Sequence, residues 1–406
     1  MATFLRIAFR NVFRNTRRTA LTVLVISFGA AALILSGGFF AYNFDGLRET
    51  TIRNGLGHLQ VATARYVADG EERPMQHGLE RYAELQEWLE SRPHVRATAA
   101  QIDFVGLISN GDKSEAFLGS GVDPEREAAM GFTLNLKQGE PLVGADEALL
   151  GVGLAAALKA RPGDVLTLMG TTSAGALNAV DVRVAGLYAT GIKEFDERAL
   201  KVSLATAQRL LDTDRVTKVI VKLDATRRTE EERSAMVAAG LGGRGGELRV
   251  RTWHDLATFY QQVVLLYDAI FLFLGVIIFI LVVLSSSNTM MMSVFERVRE
   301  IGTLMAFGTR RRQVLAIFVL EGVVLGVLGG LCGLAVSYGL IQAINHAGLT
   351  MPPPPSFSTA LPLLVKLVPG LFAGVFVLIV AVLTGSAVLP AWRGARLRIV
   401  DALGHV

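Results

Sequence analysis

The sequence of 406 residues is poor in charge and in cysteine. Charged residues make up 19% of it, below the roughly 25% typical of soluble domains, whereas 51% of the residues are hydrophobic. The single cysteine, Cys332, lies in an apolar run, so no disulfide can form within the chain. The formal net charge is only +4. The low share of charged residues and the high share of hydrophobic ones indicate membrane spans joined to a folded part. The small net charge does not favour a nucleic-acid-binding protein.

Sequence motifs for catalysis are also missing. The chain contains no Gly-x4-Gly-Lys-Ser/Thr sequence, so we do not expect it to bind ATP through a P-loop. No cysteine or histidine spacing suits zinc, and none of the six histidines has a recognised ligand or triad spacing. The glycine-rich stretch 240–246 is predicted to be a loop, with a phosphate cradle as the weak alternative. We therefore expect no enzymatic site, metal or cofactor in this chain.

Four long stretches lack charge almost entirely. They lie between Arg18 and Asp45, between Asp268 and Glu296, from about 313 to 343, and between Lys366 and Arg393. About 20 apolar residues in a helix cross the hydrocarbon core of a bilayer. The first stretch could be a cleaved signal peptide, but it is too long for a typical apolar region of one. Four retained transmembrane helices are predicted.

The predicted fold class is a membrane α-helical protein with a large α+β extracytoplasmic domain inserted between transmembrane helices 1 and 2. The predicted parts are an amphipathic cytoplasmic-face helix (1–18), transmembrane helix 1 (19–44), the extracytoplasmic domain (45–262), transmembrane helix 2 (263–294), a cytoplasmic helix (295–308), transmembrane helix 3 (309–344), a short extracytoplasmic loop (345–366), transmembrane helix 4 (367–392) and a cytoplasmic tail (393–406).

Arginine placement predicts the orientation. Thirteen arginines fall in the N-terminal segment, in the loop between spans two and three, and in the C-terminal tail, whereas the loop between spans three and four has only Lys366. Such clusters mark the cytoplasmic side, so we expect both termini in the cytoplasm and the large domain in the periplasm of a bacterium.

At the N-terminus, the arginines recur at helical spacing opposite apolar residues, which predicts an amphipathic helix on the inner surface. An unstructured basic anchor is the alternative. The arginines are Arg6, Arg10, Arg14 and Arg17, and the apolar residues are Leu5, Ala8, Phe9 and Val12.

The large domain has mixed secondary-structure signals. Asn110-Gly111 between two apolar segments predicts a β-hairpin. The other predicted strands are His58–Tyr66, Val165–Met169, Val182–Tyr188 and Val219–Leu223, and the predicted helices are Leu79–Leu89, Leu149–Leu158 and Ala205–Leu211.

The segment after span two reads as a short amphipathic helix. Val294, Val298, Ile301 and Met305 share one face, Leu304 borders it, and Gly308 is a good helix stop. Arg297 and Glu300 are spaced to form a pair. The apolar stripe could be covered by the lipid interface or by the ends of the spans themselves. The more specific hypothesis is that a groove on a cytoplasmic partner covers the stripe.

The run from Glu296 to Gly308 resembles the signature of bacterial ABC-transporter permeases of the FtsX-like, macrolide-exporter type. Glu321-Gly322, the closing run from Leu389 to Arg393 and the segment Val400–Leu403 are similar too, and the order of one span, a large domain and three spans matches over the whole chain. In that family the loop helix couples to an ATPase. The resemblance carries this role onto Glu296, Arg297, Arg299, Glu300, Ile301, Leu304, Met305, Phe307 and Gly308.

Other segments are similar to the lipoprotein-releasing permeases, namely Gly57–Val61, Val184–Asp196 and Ala205–Leu211. The resemblance implies a permease dimer, homo- or heteromeric, with two cytoplasmic ATPase subunits and an extracytoplasmic or outer-membrane partner. ATPase motion would be relayed to the large domain to release or export a lipidated or hydrophobic substrate, such as lipoproteins. The alternative is a signalling transducer that activates an extracytoplasmic enzyme, as in the cell-division relatives. The sequence does not identify the substrate.

Glu321 is the only acidic residue inside the four apolar stretches that predict the spans. It lies nine residues beyond Arg312, about 13 Å along a helix. Intramembrane carboxylates usually face the bundle interior or a partner. One interpretation is that the span begins later, so that Glu321 lies at the membrane–water interface. The other pairs Glu321 with Arg297, Arg299 or an N-terminal arginine, or makes it a cap of the loop helix, so that motion of the loop is passed to span three.

Overall fold

The computed structural model describes residues 2–69, 75–132, 134–191, 193–241, 247–352 and 361–396. The chain divides into two compact units. One is helical and comprises Met1–Asp45, Val263–Met351 and Pro362–Val406, and the other comprises Gly46–Gln262 and Pro352–Leu361. The segment 242–246 of the predicted glycine-rich loop and the segment Val400–Leu403 lie outside the described residues.

The helices are α1 (Ala2–Val12), α2 (Thr16–Thr51), α3 (Ala64–Asp69), α4 (Tyr82–Glu90), α5 (Pro124–Met130), α6 (Val152–Leu158), α7 (Lys193–Asp196), α8 (Leu204–Leu211), α9 (Thr229–Ala238), α10 (Trp253–Leu256), α11 (Thr258–Glu296), α12 (Val298–Ala306), α13 (Arg311–His346) and α14 (Pro369–Ala395). The strands are β1 (Leu59–Thr63), β2 (Val95–Ser109), β3 (Ser114–Val122), β4 (Asn135–Gly139), β5 (Glu147–Gly151), β6 (Val165–Thr171), β7 (Leu177–Ala189), β8 (Ala199–Ser203), β9 (Lys218–Leu223), β10 (Leu248–Thr252), β11 (Thr350–Met351) and β12 (Leu361–Pro362).

Four helices, α2, α11, α13 and α14, are long and apolar enough to cross a membrane. The shortest, α14, has 27 residues, about 40 Å at 1.5 Å per residue, which exceeds the hydrocarbon thickness of roughly 30 Å. The predicted helix 1–18 divides in two, because α1 ends at Val12 and α2 begins at Thr16. The N-terminal segment is therefore helical, and within α1 Ala8 and Val12 are buried whereas Phe9 is exposed and contacts the ring of Phe13.

Small residues of α13 bring the helices of this unit close together. A Cβ atom added at Gly322 would lie 2.8 Å from the Cβ of Ala387 on α14, and one added at Gly333 would lie 2.5 Å from the Cβ of Ala30 on α2. Such close approach is the usual way in which helices associate in lipid. Ser286 on α11 is fully buried and accepts a 3.0 Å hydrogen bond from Ser386 on α14.

The second unit is built on a ten-stranded mixed sheet with the order β10-β1-β9-β2-β3-β8-β5-β7-β4, and β6 pairs with β2 and β7. The predicted hairpin at Asn110-Gly111 is confirmed, since β2 and β3 pair antiparallel up to Ser109 and Ser114. Asn110 Oδ1 accepts hydrogen bonds from the amides of Asp112 and Lys113, and Gly111 has φ +93°, which favours glycine.

Three predicted elements of the sheet unit are wrong in part. The predicted helix Leu149–Leu158 begins as strand β5, whose central residues have no exposed surface and pair with both β7 and β8. A strand buried on both faces has a continuous apolar run that periodicity does not distinguish from a helix. The predicted strand His58–Tyr66 ends at Thr63, whose hydroxyl accepts the amide of Tyr66 as the chain turns into α3. The predicted helix Leu79–Leu89 begins only at Tyr82, because Leu79 bridges Val216.

Candidate functional site

The helix α12 lies between the spans α11 and α13, and its apolar stripe is covered by the chain itself. Val298, Ile301 and Met305 are at most 9% exposed, and Ile301 and Met305 belong to a cluster at the ends of the neighbouring spans. The rest of that cluster is Val294, Val314, Phe318, Ala391 and Ala395. The hypothesis that this stripe fills a groove on a partner is therefore wrong for Ile301 and Met305, because the spans' own ends bury both side chains.

The opposite edge of the helix is open to solvent. Leu304 is 44% exposed and Phe307 is 85% exposed, and Arg299 and Thr303 are exposed beside them. We call these four residues the exposed edge. Gly308, with φ +91°, ends the helix, and the amides of Gly308 and Thr309 bond back to the carbonyls of Met305 and Leu304. This backbone reversal makes Phe307 the apolar tip of the segment.

The predicted helix 295–308 is interrupted at Arg297. Span α11 continues to Glu296, Arg297 leaves the helical conformation with φ −119°, and α12 begins at Val298. At this interruption, the Arg297 side chain reaches a carboxylate on another helix.

That carboxylate belongs to Glu321 on α13. Arg297 Nη1 lies 2.8 Å from Glu321 Oε1, and the two side chains are 12% and 4% exposed. Asn11 on α1 donates a 2.6 Å hydrogen bond to the same oxygen. Glu321 lies ten residues after α13 begins, about 15 Å along the axis. Of the candidate partners suggested by the sequence, Arg297 therefore contacts Glu321, and the buried geometry favours an ion pair over a place at the wet interface.

Two exposed ion pairs tie the N-terminal segment to the same region. Arg14 lies 2.6 Å from Glu300, and Arg18 contacts both carboxylate oxygens of Glu296 at 2.6 and 3.1 Å. The hydrogen bond and the charge of Glu300 raise the pKa of Arg14 above its ordinary value. Arg297 Nε is also 3.4 Å from Glu300, as the i, i+3 spacing predicts. Glu296, Arg297, Glu300 and Glu321 thus form one charged cluster with α1 and the start of α2.

A small polar cavity of ≈ 200 Å³ opens beside this cluster. Asn11, Thr289 and Ser293 line it together with the buried ion pair. Within the part of the chain that the structure describes, no group of three or more histidine, cysteine, aspartate or glutamate side chains could hold a metal ion. Ion pairs and packing thus connect the loop segment to α2, α13 and α14. Asn11 was missed by sequence reasoning, since a lone amide in an amphipathic helix carries no signal of its partner.

Two family profiles match this chain. The profile of MacB-like periplasmic core domains matches residues 19–239, more than half of the 406 residues, and the profile of the FtsX-like permease C-terminal region matches residues 272–399. The chain belongs to the MacB-like and FtsX-like permease family. The family resemblance and the predicted fold class, four membrane helices with a large domain of periplasmic type, are thereby confirmed. The FtsX-like range includes α12, Arg297 and Glu321.

Several curated relatives of this permease are exporters by name. The macrolide export ATP-binding/permease protein MacB of Hyphomonas neptunium is 28% identical over 172 residues, which are 41% of this chain and 27% of that protein. The uncharacterized ABC transporter permease YvrN of Bacillus subtilis is 35% identical over 118 residues, 29% of this chain and 26% of that protein. The pyoverdine export ATP-binding/permease protein PvdT of Pseudomonas putida is 37% identical over 118 residues, 29% of this chain and 16% of that protein. The matches thus span about a quarter of these relatives or less.

Solved domains of similar type are also found. The periplasmic region of MacB from Actinobacillus actinomycetemcomitans matches with a TM-score of 0.37 and 15% identity, covering 52% of this chain and 95% of that one. The extracellular domain of the ABC-type transporter YknZ from Gram-positive bacteria matches with a TM-score of 0.36 and 12% identity, covering 48% of this chain and 100% of that one.

Proposed function

We propose that this permease is the membrane subunit of an ATP-driven exporter whose loop helix α12 receives the motion of a cytoplasmic ATPase. The observation that carries the proposal is that α12 is buried on one face and exposed on the other. Its inner face is locked to the spans through Ile301, Met305 and the Arg297–Glu321 pair, whereas its outer edge presents Leu304 and Phe307. A helix that transmits motion from a partner needs a rigid attachment to the spans on one face and a surface free to contact the partner on the other.

In the proposed complex, two permease subunits, identical or different, stand above two ATPase subunits that bind ATP-Mg. The exposed apolar side chains along α11, among them Leu272 at 69% and Phe273 at 69%, suit contact with lipid or with the second permease. The spans relay the motion to the extracytoplasmic domain, which releases or exports a hydrophobic or lipidated substrate, lipoproteins included. The names of the relatives, which are exporters, favour transport over the activation of an extracytoplasmic enzyme.

The proposed orientation puts both termini and α12 in the cytoplasm and the large domain in the periplasm of a bacterial inner membrane. Contacts within the helical unit support it. Arg14 and Arg18 meet Glu300 and Glu296, so the arginine-rich N-terminal segment and the arginine-rich loop lie at one end of the spans. Lys366 pairs with Asp45, which joins the other connections at the opposite end.

The orientation can be tested by cysteine labelling in intact cells. In a Cys332→Ser background, a membrane-impermeant maleimide should react with a cysteine at Asp112, on the exposed hairpin, and should not react with one at Arg311 before the cells are opened. Both positions are exposed to solvent, so burial does not explain a missing reaction. The reverse pattern would overturn the orientation.

The exporter proposal is tested by purification of the tagged chain from the membranes of its own host. We expect an ABC ATPase to be recovered in equal molar amount, and vanadate-sensitive ATP hydrolysis to be recovered with it. Recovery of the intact chain in a mild detergent without any ATPase would contradict the proposal.

A further inference from the structure

The sheet unit contains a cavity that the coupling function does not use. It has a volume of ≈ 540 Å³ and lies against β2, β3 and the end of β7. This volume is within the range of about 300–1,000 Å³ that is usual for small-molecule sites. The cavity is lined entirely by residues of the sheet unit.

One wall of the cavity is apolar and open. Val105 and Leu118, a directly opposed pair on β2 and β3, are 66% and 42% exposed, and Phe195 is 44% exposed. Phe104 and Phe132 extend the wall. Large apolar side chains left in water at a concave surface are typical of binding sites rather than of a folded domain's ordinary surface.

The charges in the cavity are largely compensated. Lys201 lies 2.5 Å from Glu127, and Lys218 lies 2.5 Å from Asp103. Arg53 stands exposed at the rim, where solvent screens its charge. Among the lining residues that the structure describes, Lys201 and Lys218 are thus paired, and no buried charge is left free to select an ion.

Tyr188 is a further polar residue of the cavity lining. It is the second-to-last residue of β7, lines the cavity and is only 4% exposed, and among the described residues no hydrogen bond to its hydroxyl is found. Burial, together with the charges of Asp196 and Glu127, raises the pKa of Tyr188, so the hydroxyl keeps its proton and remains a donor. The hydroxyl belongs to a residue that lines the cavity, so it can donate a hydrogen bond to an acceptor that enters there.

We propose that this cavity binds a small, uncharged amphiphile, with its apolar body on Val105, Leu118 and Phe195 and a carbonyl or ether oxygen accepting the Tyr188 hydroxyl. Binding would be a property of the sheet unit and does not depend on the ATPase proposal.

The test uses the full-length chain in nanodiscs, in the Cys332→Ser background, with a cysteine at the lining residue Ser120. The probe is 1-decanoylglycerol, an uncharged amphiphile with an ester acceptor. We expect it to slow maleimide labelling at position 120 at least about fivefold at saturation and to leave a cysteine at Asp112, on the hairpin tip, unaffected. Equal labelling with and without the probe at position 120 would overturn the proposal.

Three variants test the assigned contacts. Tyr188→Phe keeps the ring and should raise the half-saturating probe concentration about three- to tenfold, the size of one neutral hydrogen bond. Leu118→Ser should raise it by a similar or larger factor, whereas Leu177→Ser, on β7 and 82% exposed outside the cavity, should not change it. Decyltrimethylammonium, which has no acceptor, should bind more weakly and be insensitive to Tyr188→Phe. An unchanged affinity in a folded Tyr188→Phe protein, or equal binding of the cationic probe, would overturn the proposal.

Discussion

Replacing Arg297 by Gln is expected to abolish most ATP-driven transport and to lower the stability of the helical unit. The substitution leaves the Glu321 carboxylate, 4% exposed, without its cation. Breaking a buried ion pair by removing one partner costs about 3–5 kcal/mol, because the remaining charge is buried and uncompensated. The Asn11 amide still donates to Glu321 but carries no charge.

A double-mutant cycle separates the two effects. Glu321→Gln keeps the side-chain shape and should lower transport while membrane insertion stays intact. The pair Arg297→Gln with Glu321→Gln should recover most of the lost thermal stability, since no charge is left buried, but should not recover transport. The measurements are the unfolding midpoint of the purified protein and ATP-driven transport in proteoliposomes.

The control for this cycle is the exposed pair of Arg18 and Glu296, whose side chains are 28% and 47% exposed. Exposed pairs contribute about 0–1 kcal/mol, so Arg18→Gln should change the unfolding midpoint little. If the Arg297→Gln protein were as stable as the Arg18→Gln protein and transported normally, the Arg297–Glu321 pair would have no part in coupling.

Replacing both Leu304 and Phe307 by Asp is expected to abolish recovery of the ATPase with the permease while leaving the permease folded. Both side chains are exposed, so the new carboxylates remain hydrated in the isolated permease. At an interface they would be buried without partners, at a cost of several kcal/mol for each charge. The measurement is the molar ratio of ATPase to permease after purification.

Ile301→Asp is the matched comparison on the same helix. Ile301 is 3% exposed within the chain's own cluster, so an aspartate there should reduce the amount of folded permease itself. Loss of the ATPase in this variant would therefore follow from unfolding. If Leu304→Asp with Phe307→Asp retained a full complement of ATPase, the exposed edge would not be the docking surface.

The sequence predicts those features that depend on local composition. The four spans follow from uncharged length alone, and the hairpin follows from Asn110-Gly111, whose turn needs positive φ at the glycine. Strand β5 was predicted as a helix because its burial on both faces comes from neighbouring strands that are distant in the sequence.

The candidate site was predictable in its members but not in its contacts. The helical spacing identified the stripe of Val298, Ile301 and Met305, but periodicity does not say whether a partner or the same chain covers it. The pairing of Glu321 with Arg297 was one of several alternatives, since 24 residues and a helix break separate the two. The choice among them depends on how α11, α13 and α1 pack.

The most direct test of the account is photo-crosslinking from Phe307 in the intact complex. p-Benzoylphenylalanine at Phe307, 85% exposed on α12, is compared with the same group at Phe273, 69% exposed on α11. We expect position 307 to capture the ATPase and position 273 to capture only lipid or a second permease. An ATPase that is recovered with the permease but is not captured from position 307, or is captured from position 273, would contradict this expectation.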